Sequence, residues 1–373
     1  MQVTNILFFI AVGIYSIIML FFYMNAKTKK TRIIASILMA LPLALCAYYF
    51  IPKSDYDLVR HYGVATDLAD VTDIDSFVKV ASRHDLEILP QPFSMIVGKT
   101  GNLALMQTVI VFIGYALLFY MLIDYKSRKN VQNGIFVPVM LMVVFGQHML
   151  FYFSGLYNYF AINLFAFAVY LNYIVGAKRL PIALYILSAF VHSSMLLPLG
   201  LMIIFKLKRN KIGLGFLIFM AIIFLFFDAI VGALADFTNL DILIGIKNTY
   251  NSYLAHNDRM MQLYDGFYLI MTVTKILVAL AACWIQRGSK DNQRIRGYTY
   301  LIVVATIILS ISSIALTRFS SLVLFVAFPI IIDALSRRGA EAQALTLTTY
   351  VIAIVYAIYS INTMLPLISV VGA

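Results

Sequence analysis

The sequence predicts an all-α, polytopic membrane protein with about ten full crossings and a helical cap outside the bilayer. Three observations carry this. Of 373 residues, 62% are hydrophobic and 12% charged, with a mean hydropathy of +0.91. Soluble domains carry about 25% charged residues, so this chain has roughly half the charge needed to cover a water-facing surface. Several stretches exceed the ~18 nearly uncharged residues that a spanning helix requires. They are uniform rather than alternating, which selects helices over a barrel, the two structures that satisfy their backbone inside lipid.

The first span is expected over residues 5–24, a retained helix without a small-residue cleavage site rather than a signal peptide. It ends at Lys27, Lys29, Lys30 and Arg32. Residues 33–51 form the second, and a polar segment follows over 52–92. Spans at 103–123, 135–151 and 159–175 come next, meeting basic clusters at Lys126, Arg128 and Lys129 and at Lys178 and Arg179.

The stretch 180–205 has basic residues on both flanks, the second set being Lys206, Lys208, Arg209 and Lys211. Dividing it at His192, Ser193 and Ser194 gives two arms, each reaching only ~18 Å at 1.5 Å per residue, short of the ~30 Å core. A re-entrant hairpin or a pair of short helices satisfies both flanks. Later spans are expected at 212–235, 266–285, 298–316, 320–335 and 345–367, with Arg287, Lys290, Arg294 and Arg296, then Arg337 and Arg338, between them.

These clusters hold 19 of the 28 Lys and Arg residues. The net charge of +11 is thus a positive-inside distribution and not a nucleic-acid surface. It orients the chain with both termini outside, as one integral membrane domain over 1–373. The long outer loop, 52–92, carries eight acidic residues against four basic ones. A second outer loop spans 236–265. Cys46 and Cys283 both fall in spans, which argues against a disulfide framework or a metal site.

Candidate chemistry gathers on the outer side. A helix over residues 56–66 would place Asp57, Arg60 and His61 on one face, where a carboxylate can hold a histidine as a general base. A solvated helix face is the plainer reading. Asp67, Asp70, Asp73 and Asp75 lack the glycine and final glutamate of a calcium loop and read as an acidic loop. His192 lies at the required chain reversal, where an ionisable group is a functional candidate, or a buried histidine that fixes the turn.

Arg318, in a short link between two spans, suits bidentate binding of a diphosphate or snorkelling to headgroups. Lys275, near the centre of its span, calls for a cavity, an anionic ligand or a counter-ion such as Asp228. Tyr152, Tyr157 and Tyr159 suit sugar stacking or an interfacial aromatic belt. No phosphate-cradling glycine loop, zinc motif or Gly-Xaa-Ser-Xaa-Gly elbow is present.

Several motifs occur in a recognisable order: Ser54-Asp55-Tyr56-Asp57 opening the long loop, Gln91-Pro92-Phe93 at its return to the membrane, Ser154-Gly155-Leu156, Ala189-Phe190-Val191-His192-Ser193-Ser194, and Arg318-Phe319. In these the chain resembles the Wzy-like polysaccharide polymerases of the EpsG type. The resemblance implies a glycosyltransferase in a bacterial plasma membrane that joins repeat units carried on undecaprenyl diphosphate at the outer face. It implies no cofactor and no metal. The partners expected are the lipid-linked donor and acceptor glycans, membrane lipids and a chain-length regulator protein, without nucleic acid.

Carried onto this sequence, it makes Arg318 a diphosphate ligand and His192, with Asp57 and His61, the candidates for activating the acceptor hydroxyl. Two positions depart from the pattern. Tyr157-Asn158 stands where relatives often have an arginine, and Gln91 where they often have an acid, which moves phosphate binding toward Arg60, Arg83 or Arg259. A polysaccharide-modifying acyltransferase and a lipid-linked sugar flippase are the alternatives, the latter disfavoured by the absence of internal repeats.

Overall fold

The computed structural model describes residues 3–54, 56–81, 89–207, 233, 266–311 and 313–370. The second outer loop (236–265), the span expected over 212–235, and Asp55, Arg83, Asp228 and Arg259 lie outside the described residues. Among those described the chain is helical, with one isolated β-bridge, Phe50 to Ile368. Seven helices are long and apolar enough to cross a membrane, and shorter apolar helices accompany them. The protein is an all-α polytopic membrane protein. The chain forms two compact units, residues 1–199 with 338–373, and residues 200–337.

In the first unit, α1 (Val3–Met24) and α2 (Lys29–Tyr48) follow the first two apolar runs. Thr28 caps α2 reciprocally with Thr31, which satisfies two otherwise orphaned amides. α6 (Ala104–Lys129) packs along α2 and stops at Asn130, in the left-handed conformation, with three cations in its last turn. The loop-side ends of α1, α2 and α15 (Ala340–Met364) are tied together. Asn5 Nδ2 donates to the Ile368 carbonyl at 3.4 Å, and the Ile51 amide donates to Leu367 O at 2.8 Å.

The polar segment after α2 is ordered as a cap of α3 (Asp57–Ala69), α4 (Ile74–Ala81) and α5 (Pro90–Thr100). The helix expected over 56–66 is therefore present and slightly longer. Asp73 is no loop ligand but the start of α4: its carboxylate accepts from the Ser76 amide and hydroxyl, both at 2.8 Å. The amide bond is the first reason its carboxyl sits below the usual range. α3 and α5 pack closely because Gly98 has no side chain; a Cβ there would lie 2.0 Å from the Ala65 carbonyl oxygen.

The span expected over 135–151 is interrupted. α7 (Asn133–Phe145) and α8 (Met149–Ser154) are separated at residues 146–148, with His148 at φ +52°. Buried side chains bond to one another beside the break: Gln147 Nε2 donates to Asn163 Oδ1 at 2.9 Å, and Asn163 Nδ2 to the Tyr152 hydroxyl at 3.0 Å. α9 (Leu156–Tyr170) runs into a π-turn, Leu171–Val175, closed by Gly176 at φ +79°. The stretch 180–205 breaks where expected. α10 (Arg179–Val191) ends at His192, a 3-10 turn covers Ser193–Met195, and α11 runs over Leu196–Leu207.

The second unit contains α12 (Gly266–Ile285), α13 (Gln293–Ile308) and α14 (Ser313–Leu335), with α14 the most buried and packed on both others. Their basic ends are held by backbone carbonyls: Arg296 Nη1 donates to Gln286 O at 2.6 Å, and Arg337 Nη1 to Ile285 O at 2.8 Å. The helix break falls at Leu309–Ile311, earlier than the expected link at 317–319. Ser320 Oγ donates back to the Thr317 carbonyl at 2.7 Å within a continuous helix, so Arg318 sits more than a turn inside α14. Cys46 and Cys283 are both free and buried.

Candidate functional site

The polar side chains of the first unit converge where the cap meets α9 and the α10–α11 break. α3 begins with Asp57, a carboxylate in the first turn where the helix dipole favours it. Helical spacing brings Arg60 and His61 onto the same face. Asp57 Oδ1 accepts from Arg60 Nε at 2.9 Å, and Oδ2 lies 3.3 Å from His61 Nε2.

Asp57 and Arg60 are half exposed, whereas His61 faces inward at 6% exposure. Its ring stands edge-on to Tyr157, with centroids 4.7 Å apart. The Tyr157 hydroxyl in turn meets Ser94 Oγ of α5 at 3.1 Å. Tyr62 fixes the other side of α3 by donating to Gln107 Oε1 at 2.8 Å. Burial pushes its phenol up to about 12, against that hydrogen bond.

One residue beyond Tyr157, Asn158 Oδ1 accepts from Ser194 Oγ at 3.3 Å. The Ser194 amide donates to His192 Nδ1 at 3.2 Å. A chain of contacts thus runs from Asp57 through His61, Tyr157, Asn158 and Ser194 to His192. The expected site residues Asp57, Arg60, His61, Tyr157 and His192 are linked by this chain of contacts, from residues up to 135 positions apart.

The two histidines are set up differently. A neutral His61 that gives its Nε2 proton to Asp57 keeps Nδ1 as the basic nitrogen. A neutral His192 whose Nδ1 accepts an amide proton carries its own proton on Nε2 and is a donor there. Hydrogen-bond partners dictate these tautomers.

The second unit holds a separate cationic group. Lys275 of α12 is fully buried, with Nζ 3.4 Å from Ser321 Oγ and 5.9 Å from the Tyr268 ring centroid. Thr272, Thr317, Ser320 and Ser321 are buried with it, and Arg318 is half-buried on the same helix as Ser321. Thr272 Oγ1 is a buried hydroxyl with no hydrogen-bond partner among the described residues. Asp228, expected as a counter-ion of Lys275, lies outside the described residues, as do Arg83 and Arg259. Among the described residues no group of three His, Cys, Asp or Glu is placed to hold a metal.

Several participants were not singled out by sequence reasoning. Ser94 and Asn158 are ordinary residues whose role exists only through packing. Tyr152, Tyr157 and Tyr159 are 0%, 2% and 3% exposed, so their rings pack on protein and are not displayed to a glycan. Asp124 is the other omission. It is fully buried near the end of α6, 2.6 Å from Arg128 Nε, 2.6 Å from the Tyr170 hydroxyl and 3.2 Å from Arg32 Nη2. A lone carboxylate in the last turns of a span, against Lys126, Arg128 and Lys129, was its available signal.

No curated protein matches the chain, and no solved structure does. The model of the EpsG family matches residues 93–368. That range contains Ser94, Tyr157, Asn158, His192, Lys275 and Arg318, and leaves α3 with Asp57 and His61 outside it. The chain belongs to the EpsG family, and is on that ground a polysaccharide polymerase-like membrane protein.

Proposed function

We propose that the protein joins oligosaccharide repeat units carried on undecaprenyl diphosphate, at the outer face of a bacterial plasma membrane. The observation that carries this reading is the pairing of buried His61 with half-exposed Asp57 on α3, set against the Ser94–Tyr157 and Asn158–Ser194–His192 contacts on the side of the long loop. Such a pair serves a reaction that takes a proton from a weakly acidic hydroxyl.

His61 Nδ1 accepts the proton of the acceptor sugar hydroxyl. That oxygen then bonds to the anomeric carbon of the donor as its bond to the diphosphate oxygen breaks. The electron pair departs with undecaprenyl diphosphate, the better leaving group for having its charge met by cations. Arg60 is the described cation of this cluster. Lys275 and Arg318 form the second anion-attracting group, suited to a diphosphate by a buried ammonium and a forked guanidinium. His192, donating from Nε2, positions a glycan or phosphate oxygen, and Tyr157 holds the His61 ring. The lipid-linked donor and acceptor are the partners, and a chain-length regulator is a further one.

The test is a reaction of purified protein in nanodiscs with lipid-linked repeat units and no nucleotide. A ladder of products spaced by one repeat is expected. Recovery of intact substrate by correctly folded protein would overturn the reading, and acyl transfer or movement of unjoined units across the membrane would replace it.

A further inference from the structure

We propose that the basic end of the first unit is a binding site for an anionic diacyl phospholipid. One acyl chain lies in a groove between α1 and α2, and the phosphodiester lies against the lysines beside it. The groove measures about 490 Å³ and is lined by Ile18, Met19, Phe21, Phe22 and Asn25 of α1 and by Leu38 of α2. That volume is in the range of small-molecule clefts, roughly 300–1,000 Å³. It exists because α1 is covered along almost none of its length and leans on α2 alone among its larger contacts.

The charge beside the groove decides the occupant. Lys27, Lys29 and Lys30 are exposed in the link from α1 to α2 and the first turn of α2, and Lys129 is exposed at the end of α6. Lys126 joins the two segments, its Nζ donating to the Met24 carbonyl at 3.1 Å. Arg32 Nη1 does the same through Ser127 Oγ at 2.6 Å and Lys27 O at 3.1 Å.

Asp124 is the one carboxylate in residues 24–32 and 124–130. It points inward, fully buried, and is engaged by Arg32, Arg128 and Tyr170. The exposed charges of both segments are therefore all positive, while the clamp beneath ties the two segments together. A basic pocket between transmembrane helices is the feature that selects anionic headgroups. A zwitterionic headgroup brings its own cation and gains little there.

The test uses the full chain in detergent, titrated with dioleoylphosphatidylglycerol, dioleoylphosphatidylcholine and inorganic phosphate, with bound lipid counted by native mass spectrometry. Phosphatidylglycerol should bind more tightly than phosphatidylcholine. Lys27→Gln/Lys29→Gln/Lys30→Gln/Lys129→Gln, all at exposed positions, should weaken phosphatidylglycerol roughly tenfold or more while leaving phosphatidylcholine alone. Leu38→Trp, which fills the groove, should weaken the lipid as well.

Equal binding of both lipids, or a preference that survives the four substitutions, would overturn the proposal. So would displacement of the lipid by inorganic phosphate at matching concentrations, which would mark a free-phosphate site. None of these readings depends on polymerase activity.

Discussion

Replacing His61 and Asp57 separately separates a base from the group that orients it. His61→Asn removes the nitrogen that accepts the hydroxyl proton, and general-base catalysis contributes about 10²–10⁴-fold. Asp57→Asn removes only the orienting carboxylate. That carboxylate is 3.3 Å from His61 Nε2, but its side chain is 40% exposed and it is shared with Arg60. Exposed ion pairs are worth about 0.2–1 kcal/mol, and 1.36 kcal/mol in the barrier is tenfold in rate. Asp57→Asn should therefore slow the reaction by no more than about fivefold.

In the His61→Asn background, Asp57→Asn should add nothing further, because there is no base left to orient. The assay is single-turnover joining of lipid-linked repeat units in nanodiscs, with products resolved as a ladder and folding checked by thermal unfolding. His61 packs on Tyr157, so unfolding curves must coincide before rates are compared. A folded His61→Asn protein within tenfold of the parent rate would refute the assignment. An Asp57→Asn defect larger than that of His61→Asn would refute the order of roles.

Asp124→Asn should destabilise the protein by about 3 kcal/mol, read as a lower unfolding temperature in detergent. It leaves Arg32 without its buried counter-ion, and the exposure of Arg128 keeps the loss at the low end. Gly98→Ala should force α3 from α5, since the new Cβ meets backbone at 2.0 Å. A destabilisation of about 1–3 kcal/mol, increased proteolysis of the cap and reduced joining are expected, whereas unchanged cleavage would show that the helices yield without separating. Lys275→Met removes a buried ammonium at similar volume. Its unfolding temperature should hold or rise while product formation falls, and the reverse pair of results would make Lys275 a structural cation.

The class of this protein was legible in composition, because its long, nearly uncharged apolar runs match the length of spanning helices, which satisfy their own backbone in lipid. The helix break at His192 was legible too, because two arms of about a dozen residues cannot each span the core. The helical face of Asp57, Arg60 and His61 followed from spacing alone. Other features are properties of contact. The break at residues 146–148 lay hidden in an apolar run, since the partners that Gln147, Asn163 and Tyr152 find beside it are supplied only by the fold.

The start of α14 was placed late because the Ser320 and Ser321 hydroxyls donate back to the Thr317 carbonyl and the helix continues, where composition suggested a link. The sequence by itself determined the membrane class, the polar segment after the second span and the helix break at His192, because hydrophobic length and charge act locally along the chain. Only the tertiary structure decided that His61 meets Tyr157, that Ser194 joins Asn158 to His192, and that Asp124 clamps two basic segments, because these are encounters between side chains far apart in sequence.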